Sequence, residues 1–214
     1  MIGADSADFN YDENQLTASG TEPGQRPAEF TRVQGQVTGT KIKNLDTNEF
    51  LWSVNYYDDR YRTVQVIAQN NKDGLDKITN VFDFTGKVLR TKNDHSTLAS
   101  DTLSLAITRK LTYDHTGRPL QTVHRISTGE STGQNVVLTE VAYNELGQLV
   151  TKDLHSGMQQ VDYRYNIRGW LTRINDSNLS LADGGPEDYF GMELGYNEAI
   201  GITAESQYNG ISAR

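Results

Sequence analysis

Tyr113-Asp114-His115-Thr116-Gly117-Arg118-Pro119-Leu120 reads as two strands joined by a tight turn. Aspartate after the tyrosine can hydrogen-bond nearby backbone amides and tolerates unusual dihedrals. Glycine three positions later accepts a positive φ at no steric cost, as short hairpin loops require. Upstream, Leu111 and Tyr113 fall on one face, with Lys110 and Thr112 on the other. That is the period-two alternation of a half-buried strand. Downstream, Leu120 and Thr122 open a return strand. Pro119 lacks a ladder donor, so this strand is expected to be bulged or at an edge there.

The same pentad recurs. Phe82-Asp83-Phe84-Thr85-Gly86, Tyr143-Asn144-Glu145-Leu146-Gly147 and Tyr165-Asn166-Ile167-Arg168-Gly169 repeat the order aromatic, Asp or Asn, two variable residues, glycine. Tyr57-Asp58-Asp59-Arg60-Tyr61 is a degenerate copy with tyrosine in the glycine slot. The aromatics are spaced by 25, 31, 30 and 22 residues. Repetition at such intervals marks a repeat architecture. Val141 with Tyr143, and Val161 with Tyr163 and Tyr165, alternate with polar neighbours as Leu111 and Tyr113 do. Between pentads, 92–104, 127–134 and 153–160 are rich in Ser, Thr, Gly and Asp. These stretches are expected to be loops that absorb the length variation. The fold class is therefore all-β: tandem antiparallel hairpins forming a curved or spiralling sheet that grows by two strands per repeat. A single hairpin cannot bury its aromatic face, so stability is expected from neighbours.

Three regions follow. Residues 1–30 read as an irregular polar entry segment, loose and containing two of the four prolines, Pro23 and Pro27. Residues 31–175 carry the hairpin array. Residues 176–214 hold an acidic loop and the start of a further β segment. Ser180 to Asp183 is the one weak helical pattern, too short to be stable alone.

Composition restricts the function classes. Eleven tyrosines and 19 glycines against four prolines suit a sheet with many turns. A net charge of −8 without a basic run argues against nucleic-acid binding. With no cysteine, disulfides, thiolate metal sites and cysteine nucleophiles are excluded. No apolar run approaches the ~18 residues of a membrane helix. The first residues carry no signal-peptide pattern.

Candidate chemistry is sparse. His95, His115, His124 and His155 are not spaced as metal ligands. They read as solvated residues at turns or strand–loop junctions. Asp58, Asp59 and Asp114 occupy or adjoin the repeated turn slot, so a turn role accounts for them without acid–base catalysis. Ser100, Ser127 and Ser131 lack any nucleophile context. Asp183, Glu187 and Asp188 lack the ligand alternation of a calcium loop and read as a solvated acidic loop. No cofactor, metal or catalytic residue is expected, and the chain is not read as an enzyme. Trp52 and Trp170 are the aromatics that an exposed sheet face could use to stack on sugar rings, although burial is the commoner fate of such rings.

The pentads, as in Tyr113-Asp114-His115-Thr116-Gly117-Arg118, resemble the YD repeat of RHS-type proteins. The run Asp162-Tyr163-Arg164-Tyr165-Asn166-Ile167-Arg168-Gly169-Trp170-Leu171-Thr172 resembles the Bacteroidetes-type segment upstream of the RHS core region. So do Phe190-Gly191-Met192-Glu193-Leu194 and Tyr208-Asn209-Gly210. Leu51 to Asp59 and Asp83 to Thr91 fit the same pattern. The resemblance covers residues 31–212 and implies a large secreted or cell-surface parent. It implies a β-sheet strip that winds into a shell around a C-terminal effector, as in polymorphic toxins. The core protease is not in the matched residues, so no catalytic residue is carried over. What is implied is a structural segment whose partners are the rest of its own parent chain, with self-association through exposed strand edges. The alternative is an adhesin-like module that recognises glycan or protein at the cell surface.

Overall fold

The computed structural model describes residues 6–16, 28–97, 105–129, 131–179, 188–196 and 211–213. Within them the fold is all-β, apart from one turn of 3-10 helix at Ser6–Phe9. The strands are β1 (Gly39–Lys43), β2 (Phe50–Tyr57), β3 (Thr63–Gln69), β4 (Leu75–Phe82), β5 (Val88–His95), β6 (Leu105–Tyr113) and β7 (Pro119–Thr128). They continue as β8 (Ser131–Thr132), β9 (Val136–Tyr143), β10 (Leu149–Leu154), β11 (Gln159–Tyr165), β12 (Leu171–Ile174), β13 (Met192–Tyr196) and β14 (Ile211–Ala213). The sheet follows chain order from β1 to β14, with the short β8 set beside β7. Neighbours in sequence are thus neighbours in space, as the repeated hairpin signal requires. The reading of Ser180 to Asp183 as a weak helix, the acidic-loop positions Asp183 and Glu187, Ser100 and the run Tyr208-Asn209-Gly210 lie outside the described residues.

The chain divides into two compact units. One comprises Met1–Leu111 and His124–Asn135, the other Thr112–Val123 and Val136–Arg214.

The first unit holds every fully buried apolar side chain among the described residues: Leu16, Tyr57, Val64, Ile67, Val81 and Ala106. Four of these lie on β3, β4 and β6. The irregular Ser6–Leu16 segment packs on the sheet rather than hanging free of it. Gln65, wholly buried within β3, accepts from the Asp12 amide at 2.9 Å and donates to the Asp12 carbonyl at 3.1 Å. It also reaches Gln15 Oε1 at 3.2 Å and Thr79 Oγ1 at 2.9 Å. Thr79 donates to Gln15, which in turn donates to Asp94. Lys77 Nζ closes the cluster on Asp12 at 3.2 Å. Buried polar groups are tolerable only when paired in this way. Tyr11 packs on Tyr56 with ring centroids 5.3 Å apart.

In the second unit, strands β9 to β12 are half-buried almost throughout. Glu140, Ala142 and Arg164 are exposed between half-buried Val141, Tyr143 and Tyr165, which is the expected alternation. The buried anchor here is polar: Asn175, 5% exposed. It accepts from the Asp162 amide at 2.7 Å and donates to the Phe190 carbonyl at 2.8 Å.

Three glycines outside the repeat slots mark close approaches. A Cβ on Gly74, Gly133 or Gly191 would fall about 2 Å from the carbonyl oxygen of Ser96, Ile126 or Asp176 respectively.

Candidate functional site

The five pentads form one recurring device, built from the backbone outward. At each, the amide of the Asp or Asn donates to the carbonyl four residues on: Asp58 to Arg62, Asp83 to Lys87, Asp114 to Arg118, Asn144 to Gln148 and Asn166 to Trp170, at 2.9–3.0 Å. The glycine-slot amide then donates back to the Asp or Asn carbonyl at 2.9–3.2 Å. The chain can close so tightly because the glycine slot is left-handed. Gly86, Gly117, Gly147 and Gly169 have φ of 98, 85, 80 and 79°. Tyr61 takes the same conformation at φ 60°, where a bulky residue is unfavourable.

The side chain of the Asp or Asn is the clamp. In every copy its Oδ1 accepts the amide of the residue after the glycine slot, at 2.8–3.0 Å. Asp58 and Asp114 add an ion pair, with Arg62 and Arg118 Nε 2.6 Å from Oδ2. These bonds fix the electrostatics of the turn. Desolvation acts upward on Asp114. Bonds from the Thr116 hydroxyl, the Arg118 amide and guanidinium and the Thr116 amide outweigh it and hold the carboxyl well below its ordinary range. The same balance, with Thr85 and Lys87, lowers Asp83. A carboxylate held this way is a poor proton acceptor or donor near neutral pH.

Past the turn, each described register slips by one residue on the return strand. Tyr57 pairs with Thr63 and Tyr56 with Gln65, leaving Val64 as a bulge. Leu89, Val150 and Thr172 are left in the same way. Proline is not the cause, since none of these three strands carries one. Pro119 itself opens β7 as its first residue, where a missing donor is tolerated.

At four of the five turns the residue after the glycine slot also reaches the next hairpin or strand, whereas Lys87 donates to Thr85 of its own turn at 3.1 Å. In the first unit, the Arg62 guanidinium lies 4.7 Å from the Phe82 ring and donates to the Asp83 carbonyl at 2.7 Å. In the second, Arg118 lies 4.4 Å from the Tyr143 ring. Its Nη1 is so close over Gly147 that a Cβ there would sit 2.8 Å away. Gln148 reaches the Gly169 carbonyl at 3.4 Å. Trp170 stacks on Tyr196 with centroids 5.0 Å apart.

Tyrosine hydroxyls supply a second tie. Tyr143 donates to the Pro119 carbonyl at 3.0 Å and Tyr196 to the Leu171 carbonyl at 2.9 Å. Tyr57 donates to the Val37 carbonyl at 2.8 Å. Each acceptor lies two residues beyond a left-handed glycine, namely Gly117, Gly169 and Gly35. Gly35, at φ 84°, lies in a turn closed by the Gln36 amide on the Val33 carbonyl at 3.0 Å.

Of the predicted repeat aromatics, Tyr57 is buried, and Phe82, Tyr113, Tyr143 and Tyr165 are half-buried. Trp52 and Trp170 are 41% and 43% exposed. Lys41 Nζ sits 4.7 Å from the Trp52 ring, and the Arg168 guanidinium 5.2 Å from Trp170. His115 is exposed in its turn and His155 in a loop at φ 47°. His95 ends β5, 2.5 Å from Asp76. His124 lies inside β7 and not at a strand–loop junction. Among the described residues no cluster of three His, Asp or Glu side chains is placed to hold a metal ion. A cleft of about 510 Å³ lies beside Tyr11, Glu29 and Tyr56. Burial and the neighbouring Glu29, Glu13 and Asp12 charges push the Tyr11 hydroxyl up to about 12.

No family model matches the chain. No curated protein matches it either. Among solved structures it is similar to TcdB2-TccC3 without its hypervariable C-terminal region and to the TcdB2-TccC3-Cdc42 structure. In both cases identity is 12% and the TM-score 0.21, over 74% of this chain. The chain spans 12% of the length of those chains, and a likeness of this strength carries no argument here.

Proposed function

We propose that this chain is a non-catalytic structural segment of an RHS-type secreted or surface protein. Its hairpins form part of a β-shell that encloses a C-terminal effector. The supporting observation is the use made of the repeat residues. The Asp and Asn carboxylates and amides are consumed by backbone clamps. After the glycine slots, Arg62, Arg118 and Trp170 are consumed by the neighbouring hairpin or strand. Groups spent on lateral cohesion suit a wall, in which each hairpin is stabilised by the next. The partners in this reading are the remaining shell and the enclosed effector of the same parent chain. No nucleic acid, membrane span or cofactor enters it. Cryo-electron microscopy of the full-length gene product tests it. The expected result is a sheet continuing past β14 around an enclosed domain. A parent in which these hairpins stand apart from any enclosed domain would contradict it.

A second reading has its own observation, the exposure of Trp52 and Trp170. An adhesin-like module would use these rings to stack on sugars. It predicts glycan-array binding that is lost in Trp52→Ala or Trp170→Ala. An array without binding removes this reading.

A further inference from the structure

The outer edge of β1 carries the next inference, and it rests on edge geometry, independently of the shell reading. β1 stands at the end of the strand order, and all five of its residues are exposed. Its register with β2 pairs Gly39 with Val54, Lys41 with Trp52 and Lys43 with Phe50. The phase of the hydrogen bonds is set from both ends of this ladder. Asn55 donates to the Thr38 carbonyl at 2.9 Å, and Asn44 donates to the Glu49 carbonyl at 2.7 Å. In an antiparallel pair such bonded positions alternate with non-bonded ones. Thr40 and Ile42 therefore share the inward phase, and the amides and carbonyls of Gly39, Lys41 and Lys43 point away from β2.

The outward positions are also the charged ones. Lys41 and Lys43 project on the same face as Phe50 and Trp52, and Lys41 Nζ lies 3.9 Å from the Phe50 ring and 4.7 Å from Trp52. Ile42, on the other face, is 66% exposed. A second copy of β1 is a poor occupant, because central antiparallel registers set lysine against lysine, and like charges directly opposite are destabilising. Edge lysines are a common guard against such self-pairing.

We infer that the β1 edge is a docking site for an extended acidic segment. This segment adds as a strand, with carboxylates beside Lys41 and Lys43 and an apolar residue beside Ile42. Main-chain bonds to Gly39, Lys41 and Lys43 supply affinity, and the lysine pair selects the sequence.

The test uses the whole chain and two short capped peptides, one alternating glutamate with valine and the other lysine with valine. Amide hydrogen exchange is read by NMR. The glutamate peptide is expected to slow the Lys41 and Lys43 amides by ~10-fold while leaving Thr40 and Ile42 unchanged. A chain carrying Lys41→Glu and Lys43→Glu is expected to prefer the lysine peptide. Unchanged exchange with the glutamate peptide would overturn the inference, as would equal protection by both peptides. Protection that appears on concentrating the chain alone would assign the edge to a second copy instead.

Discussion

Strands β3 and β4 and hairpins β9 to β12 all adjoin the same kind of pentad, yet they are stabilised differently. The first pair holds Val64, Gln65, Ile67, Thr79 and Val81, all essentially inaccessible to solvent. In the second set nearly every residue is half-buried. The repeat is thus not what makes a core. The core coincides with the stretch of sheet to which Ser6–Leu16 is fixed through Gln65 and Gln15. Where no described segment covers the strands, cohesion falls to turn clamps and the ties from one hairpin to the next.

The largest effect expected from this contrast is at Ile67. Ile67→Ala should cost ~2–5 kcal/mol, as for a fully enclosed side chain, and Val161→Ala roughly half that or less. Equal shifts in urea midpoint would erase the distinction between the two regions.

Turn chemistry comes next. Gly117→Val forces a branched residue into φ 85° and should cost ~1–3 kcal/mol. An unchanged denaturation midpoint would remove the turn from the account.

The two regions also differ in pH response. Asp83 and Asp114 are held below the ordinary carboxylate range in the fold, so the stability they contribute is present above that range. It is lost as pH falls through their folded values. Tyr11 is raised from 10.0 to about 12, so the packing of Ser6–Leu16 is complete below pH 10. It is lost as pH rises toward 12, because the unfolded tyrosinate is then favoured. The Cα chemical shift of Asp12, followed with pH, should report this release while those of the turn glycines in the second unit stay unchanged. Movement of both together at high pH would contradict it.

A smaller effect is expected at Tyr61. Tyr61→Gly relieves a left-handed bulky residue, worth ~1 kcal/mol, but forfeits the edge contact with Phe30 at 6.2 Å. A net gain of a few tenths of a kcal/mol in thermal melts is the outcome. A clear loss would mean that the ring contact outweighs the backbone strain.

How much was legible in the sequence follows the range of each interaction. The turns were, because aspartate, asparagine and glycine act within five residues of one another. Even the degenerate slot at Tyr61 could be placed by register. The docking of Ser6–Leu16 was not, because it depends on Gln65, 53 residues from Asp12, inside a strand that reads as apolar. The ties through Arg62 and Arg118 were also hidden, since each is a surface-type residue whose partner ring belongs to the following hairpin. For Trp52 and Trp170 the sequence named the rings but could not decide their exposure, which depends on Lys41 and Tyr196.

The coupling of neighbouring hairpins through a residue that follows the glycine slot is tested most directly at Arg118 and Tyr143. A double-mutant cycle with Arg118→Ala and Tyr143→Leu, read by urea denaturation, isolates that pair. The account predicts a coupling of ~0.5–2 kcal/mol, beyond the error of additivity. Losses that simply add would show two independent side chains and contradict it.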